Sequence, residues 1–181
     1  MHALTLVLIL LAQPASQPTS RPSEVASTAK QCPTGAADPQ AAYQKAHDAL
    51  ATARAADEHL LTTTYDSVRG DFGQAARAGH LDAQYELGVL VIGTMYMNQG
   101  PEPSERAAYV DALTWLAVAA RRGHPKAAGS LTPRLMATLT GKPAPKAEKE
   151  EPFTDLPGAW LAEASARAEA WSSCWNVPAK P

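Results

Sequence analysis

The chain has 181 residues, enough for one ordinary domain plus tails and too few for two large domains. With 16 basic residues against 18 acidic ones and no face-sized run of Lys and Arg, it lacks the electrostatic footprint of a nucleic-acid binder. Alanine is abundant and aromatics are few (4 Trp, 5 Tyr, 2 Phe), so a core must come from small residues, Leu and a few Trp, an inventory suited to closely packed helices.

In chain order, the first segment holds an apolar run from Ala3 to Ala12, followed by small and polar residues with Pro14, Pro18 and Pro22. A run of roughly ten apolar residues is too short to span a bilayer but suits the hydrophobic region of a secretory signal. A signal over 1–15 with export to a periplasmic or secreted compartment is expected, and no other segment is long enough for a membrane span. Residues 16–37 are rich in Pro, Ser, Thr, Gln and Ala and read as a disordered leader.

The repeat domain is expected over 38–140. Asp38 is placed to cap a first helix with Pro39 at its first position, and Tyr43, Ala46, Ala49 or Leu50, Ala53 and Leu60 or Leu61 recur at helical spacing. A second helix is expected from about Tyr65 to Ala78, with Val68, Phe72, Ala75 and Ala76 on one side and Gly79 as its stop. The third begins near His80 and carries Ala83, Leu87, Leu90 or Val91, and Met95. Gly88 lies inside it at a cost of about 1 kcal/mol relative to alanine, which predicts a close helix contact there.

After a turn-rich break with Ser104 as the expected cap, the fourth helix places Ala112, Trp115, Leu116, Ala119 and Ala120 on one face and stops at Gly123. A fifth is expected to start at Pro125 with Ala127 or Ala128, Leu131, Leu135 and Leu139. Residues 141–153 read as a charged, proline-rich linker, and 154–176 as a last helix with Trp160, Leu161, Ala164, Ala168 and Trp171 packed on the rest. No β-rich segment appears, so the fold class is all-α.

The segments beginning at Ala75 and Ala119 duplicate one another at an offset of 44: Ala75, Ala76, Arg77, Gly79, His80, Ala83 and Leu87 match Ala119, Ala120, Arg121, Gly123, His124, Ala127 and Leu131. Trp160-Leu161-Ala162 echoes Trp115-Leu116-Ala117 as a weaker third copy. This period predicts a short α/α solenoid of stacked antiparallel helix pairs, about two to three repeats. The register set by Gly79, Ala83, Gln84, Leu87, Gly88, Leu90, Tyr109, Ala112, Trp115, Ala119, Ala120 and Gly123 resembles the Sel-one-like repeat (SLR) family, relatives of tetratricopeptide repeats. One repeat, about 76–120, carries the likeness, and flanking half-repeats extend it to roughly 65–135. The loop from Thr94 to Ser104 is longer and holds two prolines, and Val91 stands where an aromatic is usual. The within-repeat Cys pair of the family's cysteine-rich secreted branch is missing, so that branch's enzyme-like associations do not carry over. The resemblance implies a binding protein whose stacked pairs expose a concave wall formed by the first helix of each pair.

Cys32 and Cys174 are the only cysteines. In an exported compartment they are expected to form a disulfide closing nearly the whole domain, whereas a reducing compartment would leave two free thiols. Tyr85, Val89, Ile92 and Tyr96 form a second stripe on the third helix, covered either by the preceding helix or by a partner. The expected protein-binding residues are Tyr85 and Val89 with the helix's outer end and loop, Tyr96, Met97, Asn98 and Glu102. His80 and His124 are expected to serve the turns rather than a metal, because equivalent positions in successive repeats lie a repeat apart with no third ligand in register. Asp66 with Asp71, and Glu148 with Glu150, read as ordinary charged surface. Hydrolase, metalloprotease, phosphate-loop and dinucleotide motifs are absent from the sequence, and no cofactor is expected. The leading expectation is an exported, non-catalytic adaptor, regulator or assembly factor binding another protein or peptide. The alternatives are a cell-envelope hydrolase acting on cell-wall or β-lactam-like substrates, and an inhibitor or immunity-type binder.

Overall fold

The computed structural model describes residues 31–56, 58–96, 103–129, 133–141 and 156–175. Among these the chain is all-α, with helices α1 (Pro39–Ala56), α2 (Glu58–Arg77), α3 (Leu81–Tyr96), α4 (Arg106–Arg121), α5 (Pro133–Thr140) and α6 (Gly158–Ser172). Three short 3-10 turns accompany them: Pro103–Glu105, Ala127–Gly129 and Ser173–Trp175. Helices adjacent in sequence pack on one another, α1 with α2 and α3 with α4 as antiparallel pairs and α5 against α6, and α6 also packs along α4. No helix among the described residues is long and apolar enough to cross a membrane. The expected signal (1–15) and the expected linker beyond Gly141 lie outside the described residues.

Local chemistry accounts for the boundaries. Asp38 Oδ1 accepts the Ala41 N–H at 2.9 Å, capping α1 with Pro39 at the first position, where its missing N–H costs nothing. Both α2 and α4 end in the same motif. The His80 N–H reaches the Ala75 carbonyl (3.0 Å) and the Gly79 N–H that of Ala76 (3.0 Å); in the second copy His124 bonds Ala119 (2.9 Å) and Gly123 bonds Ala120 (3.1 Å). Gly79 and Gly123 sit at φ +92° and +87°, the left-handed conformation this cap demands.

Three expected boundaries are corrected. The second helix begins at Glu58 rather than Tyr65. Its apolar phase starts earlier than expected, because positions 61, 65, 68, 72 and 75 already continue one stripe at spacings of four and three. Ser104 is not the cap of α4: it lies inside the 3-10 turn, and Glu105 at the junction has φ −93° and ψ 0° with no side-chain cap bond. With those dihedrals, the junction lacks the extended conformation from which a cap oxygen reaches back. The fifth helix does not start at Pro125: a 3-10 turn occupies Ala127–Gly129 and α5 begins only at Pro133. Pro133 removes an N–H and disfavours the helical conformation at the residue before it, so a helix started at Pro125 cannot run through it.

The core is built where the repeat predicts. Gly88 meets α4 so closely that a Cβ would lie 2.5 Å from Leu116 Cγ and 2.9 Å from the Ala112 carbonyl oxygen. Trp115, Leu116, Ala112 and Ala119 are buried, and so are Val110, Leu113, Thr114, Ala117 and Val118. Helix α4 is therefore buried on more than the single apolar face expected, with Asp111 the exposed residue among its buried neighbours, as suits the central helix of a stack. Helix α6 runs parallel to α4, since contacts advance together along both: Trp160 with Tyr109 (5.8 Å between rings), Arg167 with Asp111 (2.7 Å), and Trp171 with Trp115 (4.9 Å).

Cys32 and Cys174 are joined as a disulfide with a sequence separation of 142. The bond ties the segment before α1 to the end of α6. There Gly35 lies so close to α2 that a side chain would collide with the Gln74 carbonyl, and the Ala36 N–H donates to that carbonyl at 3.1 Å. Trp175 closes the same corner, against Gly79 and under the Arg122 guanidinium (5.5 Å).

Candidate functional site: a groove between two second helices

Helices α2 and α4 both lie on α3 but make little direct contact with each other, and a groove of about 260 Å³ runs between them. One wall is a single stripe of α2: Asp66, Arg69, Gly70, Gly73 and Arg77. The other is the facing stripe of α4: Ala108, Asp111, Ala112 and Trp115, with Leu87 and Val91 of α3 as the floor. The spacing by three and four along each helix is what aligns both walls with the groove.

Two features of the α2 wall stand out physically. Gly70 and Gly73 lie in the middle of a helix, where each costs about 1 kcal/mol relative to alanine. A Cβ at Gly70 would meet nothing within 4 Å, so no packing contact requires a glycine there. At Gly73 the Cβ position lies 3.3 Å from Arg77 Nη1, so the guanidinium lies back along the helix over the missing side chain.

The charges are unevenly matched. Asp66 and Arg69 face one another at 3.5 Å on the rim, both largely exposed, so their pairing is worth little. Asp111 is engaged from the far side by Arg167 of α6 at 2.7 Å, and Arg167 also holds Glu163 at 2.6 Å. Desolvation raises the Asp111 pKa, against the pull of Arg167 and, more weakly, of Arg77. Arg77 makes no side-chain hydrogen bond or ion pair among the described residues.

The repeat register sharpens the comparison. One offset of 44 on, the α2 stripe becomes Val110, Leu113, Thr114, Ala117 and Arg121 of α4. The first four are fully buried, and Arg121 Nη2 donates to the Leu139 carbonyl of α5 at 2.9 Å. The same stripe is closed in one copy and open in the other.

The chain matches no family model, no curated protein and no solved structure.

The sites expected from sequence fall elsewhere. Tyr85 is half-buried and stacked on His124 (4.3 Å between rings), and Val89 is half-buried against the core. Tyr96 ends α3, its side chain outside the described residues; Met97, Asn98 and Glu102 lie outside them altogether. Tyr85 belongs to a repeated unit. Tyr43 stacks on His80 at the same 4.3 Å, and the His80 Nε2 bonds Gln40 Oε1 (2.9 Å) as the His124 Nε2 bonds Asp82 Oδ1 (3.1 Å). Gln40 and Tyr43 precede Asp82 and Tyr85 by 42 positions, so the repeat reaches back into α1.

Each histidine thus pins the first helix of a pair. His80 Nδ1 also accepts the Ala83 N–H (3.3 Å), capping α3, whereas His124 Nδ1 is buried without a partner among the described residues, where a 3-10 turn stands in place of the helix it would cap. Among the described residues no group of three or more His, Cys, Asp or Glu is placed to hold a metal.

Of the groove residues, Asp66 is expected from sequence to be ordinary charged surface and Arg77 part of the repeated segment, while Arg69, Gly70, Gly73 and Asp111 are not singled out by sequence. The signal that finds them is the paired glycines inside a helical stripe whose repeat-equivalent positions are Thr114 and Ala117.

Proposed function

We propose that this is an exported, non-catalytic helical-repeat protein of the SLR type that holds an extended peptide or protein segment in the groove between α2 and α4. The observation that carries the reading is the α2 wall, where two mid-helix glycines keep a groove open although the repeat's own pattern supplies bulkier residues. Omitting side chains there lets a ligand backbone approach the helix, while Trp115, Ala112, Leu87 and Val91 offer apolar surface behind it. The two groove carboxylates, Asp66 and Asp111, are each opposed by an arginine, an arrangement that favours binding over the paired acid and base of a hydrolase. Export is supported by the apolar leader and by the disulfide, which persists in oxidising compartments.

The test is a photo-crosslinking amino acid placed at Asp66, on the groove rim, and at Asp48, on the exposed side of α1, in protein expressed in its native envelope. A defined adduct at position 66 that is absent at position 48 is expected. Identical adduct patterns at the two positions, or none at 66, would overturn the groove as the binding site.

A further inference from the structure

Resting on the reading of the groove as a peptide site, we propose that it selects segments carrying an acidic side chain, with Arg77 as the residue that receives the carboxylate. Of the four charged side chains lining the groove, Asp66 and Arg69 face each other and Asp111 is hydrogen-bonded to Arg167; Arg77, which feels Asp111 only through space, is the one with no hydrogen bond or ion pair among the described residues. Arg77 is half-buried, and its guanidinium lies over Gly73 along the wall instead of extending into solvent. A planar fork of donors beside an apolar floor fits a carboxylate flanked by small or apolar residues.

The second copy of the repeat supports the assignment independently. Arg121, equivalent to Arg77, is bonded to an oxygen supplied by the next segment of chain, the Leu139 carbonyl. In the first copy no segment of the described chain supplies that oxygen. The position has a donor and a groove, and no acceptor for it lies among the described residues. The occupant is an extended strip of peptide, because the two glycines bare the α2 backbone along the wall, where a ligand main chain can lie closer than the roughly 10 to 12 Å width of a helix with side chains allows.

The experiment uses the full disulfide-bonded protein and a phage-displayed library of random heptapeptides, with enriched sequences then made as soluble peptides and titrated by fluorescence anisotropy. Enrichment of Asp or Glu next to small or apolar residues is expected. Arg77→Gln should weaken the binding of such a peptide at least tenfold, as should Glu→Gln in the peptide, and the two changes together should cost no more than either alone. Gly70→Leu, which fills the groove from an open position, should abolish binding without lowering the unfolding midpoint. Enriched peptides without acidic residues, or affinity within twofold of wild type for Arg77→Gln, would overturn the charge selection. The groove itself would stand in that case if Gly70→Leu still blocked binding. No enrichment at all, or undiminished binding to Gly70→Leu, would overturn both the groove and the selection.

Discussion

Gly88 and Gly93 lie on the same helix, five residues apart, and the same substitution at each should have opposite effects. Both are interior to α3, so replacing either with alanine gains up to about 1 kcal/mol of helix propensity. At Gly93 a Cβ would meet nothing within 4 Å, and the full gain is opposed only by fraying near the end of the helix. A stabilisation of about 0.5 kcal/mol is expected there. At Gly88 the new methyl would stand 2.5 Å from Leu116 Cγ and 2.9 Å from the Ala112 carbonyl oxygen. Neither neighbour yields easily: the carbonyl is backbone, and Leu116 is 1% exposed, with no free space to turn into. Overpacking of this kind costs about 1 to 3 kcal/mol, which exceeds the propensity gain and leaves a net loss of about 1 to 2 kcal/mol. Urea unfolding of the oxidised protein, followed by tryptophan fluorescence, measures both variants on one scale. A rise in midpoint for Gly88→Ala equal to that of Gly93→Ala would show that α3 and α4 do not approach at Gly88, and the repeat register would fall with it.

Trp115 is 5% exposed and packs on Trp171, so Trp115→Ala should lower stability by about 3 to 5 kcal/mol; a near-neutral result in the same urea assay would remove it from the core. The Cys32–Cys174 bond closes a long loop, so replacing both cysteines with serine should cost about 2 to 4 kcal/mol, and an unchanged midpoint would contradict the link between the leader and α6. Burial lowers the His80 pKa below its ordinary 6.5, so protons bind the unfolded chain more readily; the stability it contributes is complete above about pH 6.5 and is lost as pH falls through and below that value. His80→Asn keeps a capping group without the titration and should flatten the acid limb of stability against pH, while an unaltered limb would assign that limb to other groups.

The elements that the sequence exposed most clearly are those governed by local rules: the Asp38-Pro39 start of α1, and the Ala-Ala-Arg-x-Gly-His cap written twice. Gly88 was legible because a costly residue in a helix must have a compensating contact, and the contact is with Leu116 and Ala112. Pro133 was also in plain view, yet the stripe through Leu131, Leu135 and Leu139 suggested one helix; apolar spacing does not register a missing N–H. The Tyr and His pairs were hidden differently. Tyr43 and His80 are 37 residues apart and meet only when the pair closes, so their likeness to Tyr85 and His124 emerges from contacts and not from spacing. The groove was hardest to read, because it is an absence of contact between α2 and α4, created by how both rest on α3.

That absence separates a binding site from a packing flaw. In a stack of repeats each face of a second helix is ordinarily filled by its neighbour, and the α4 stripe of Val110, Leu113, Thr114 and Ala117 is filled in this way. The corresponding α2 stripe carries Asp66, Arg69, Gly70 and Gly73, each smaller or more polar than its counterpart. A flaw would need only that the helices fit poorly, and apolar side chains at 70 and 73 would then remove it while raising helix propensity. On the binding account, two glycines that each cost about 1 kcal/mol, on the wall that also carries Arg77 without a hydrogen bond or ion pair among the described residues, keep both space and charge accessible. Gly70→Ala distinguishes the two accounts. Both predict a stability gain of up to about 1 kcal/mol by urea unfolding, but only a binding groove predicts that the more stable variant holds its peptide less tightly.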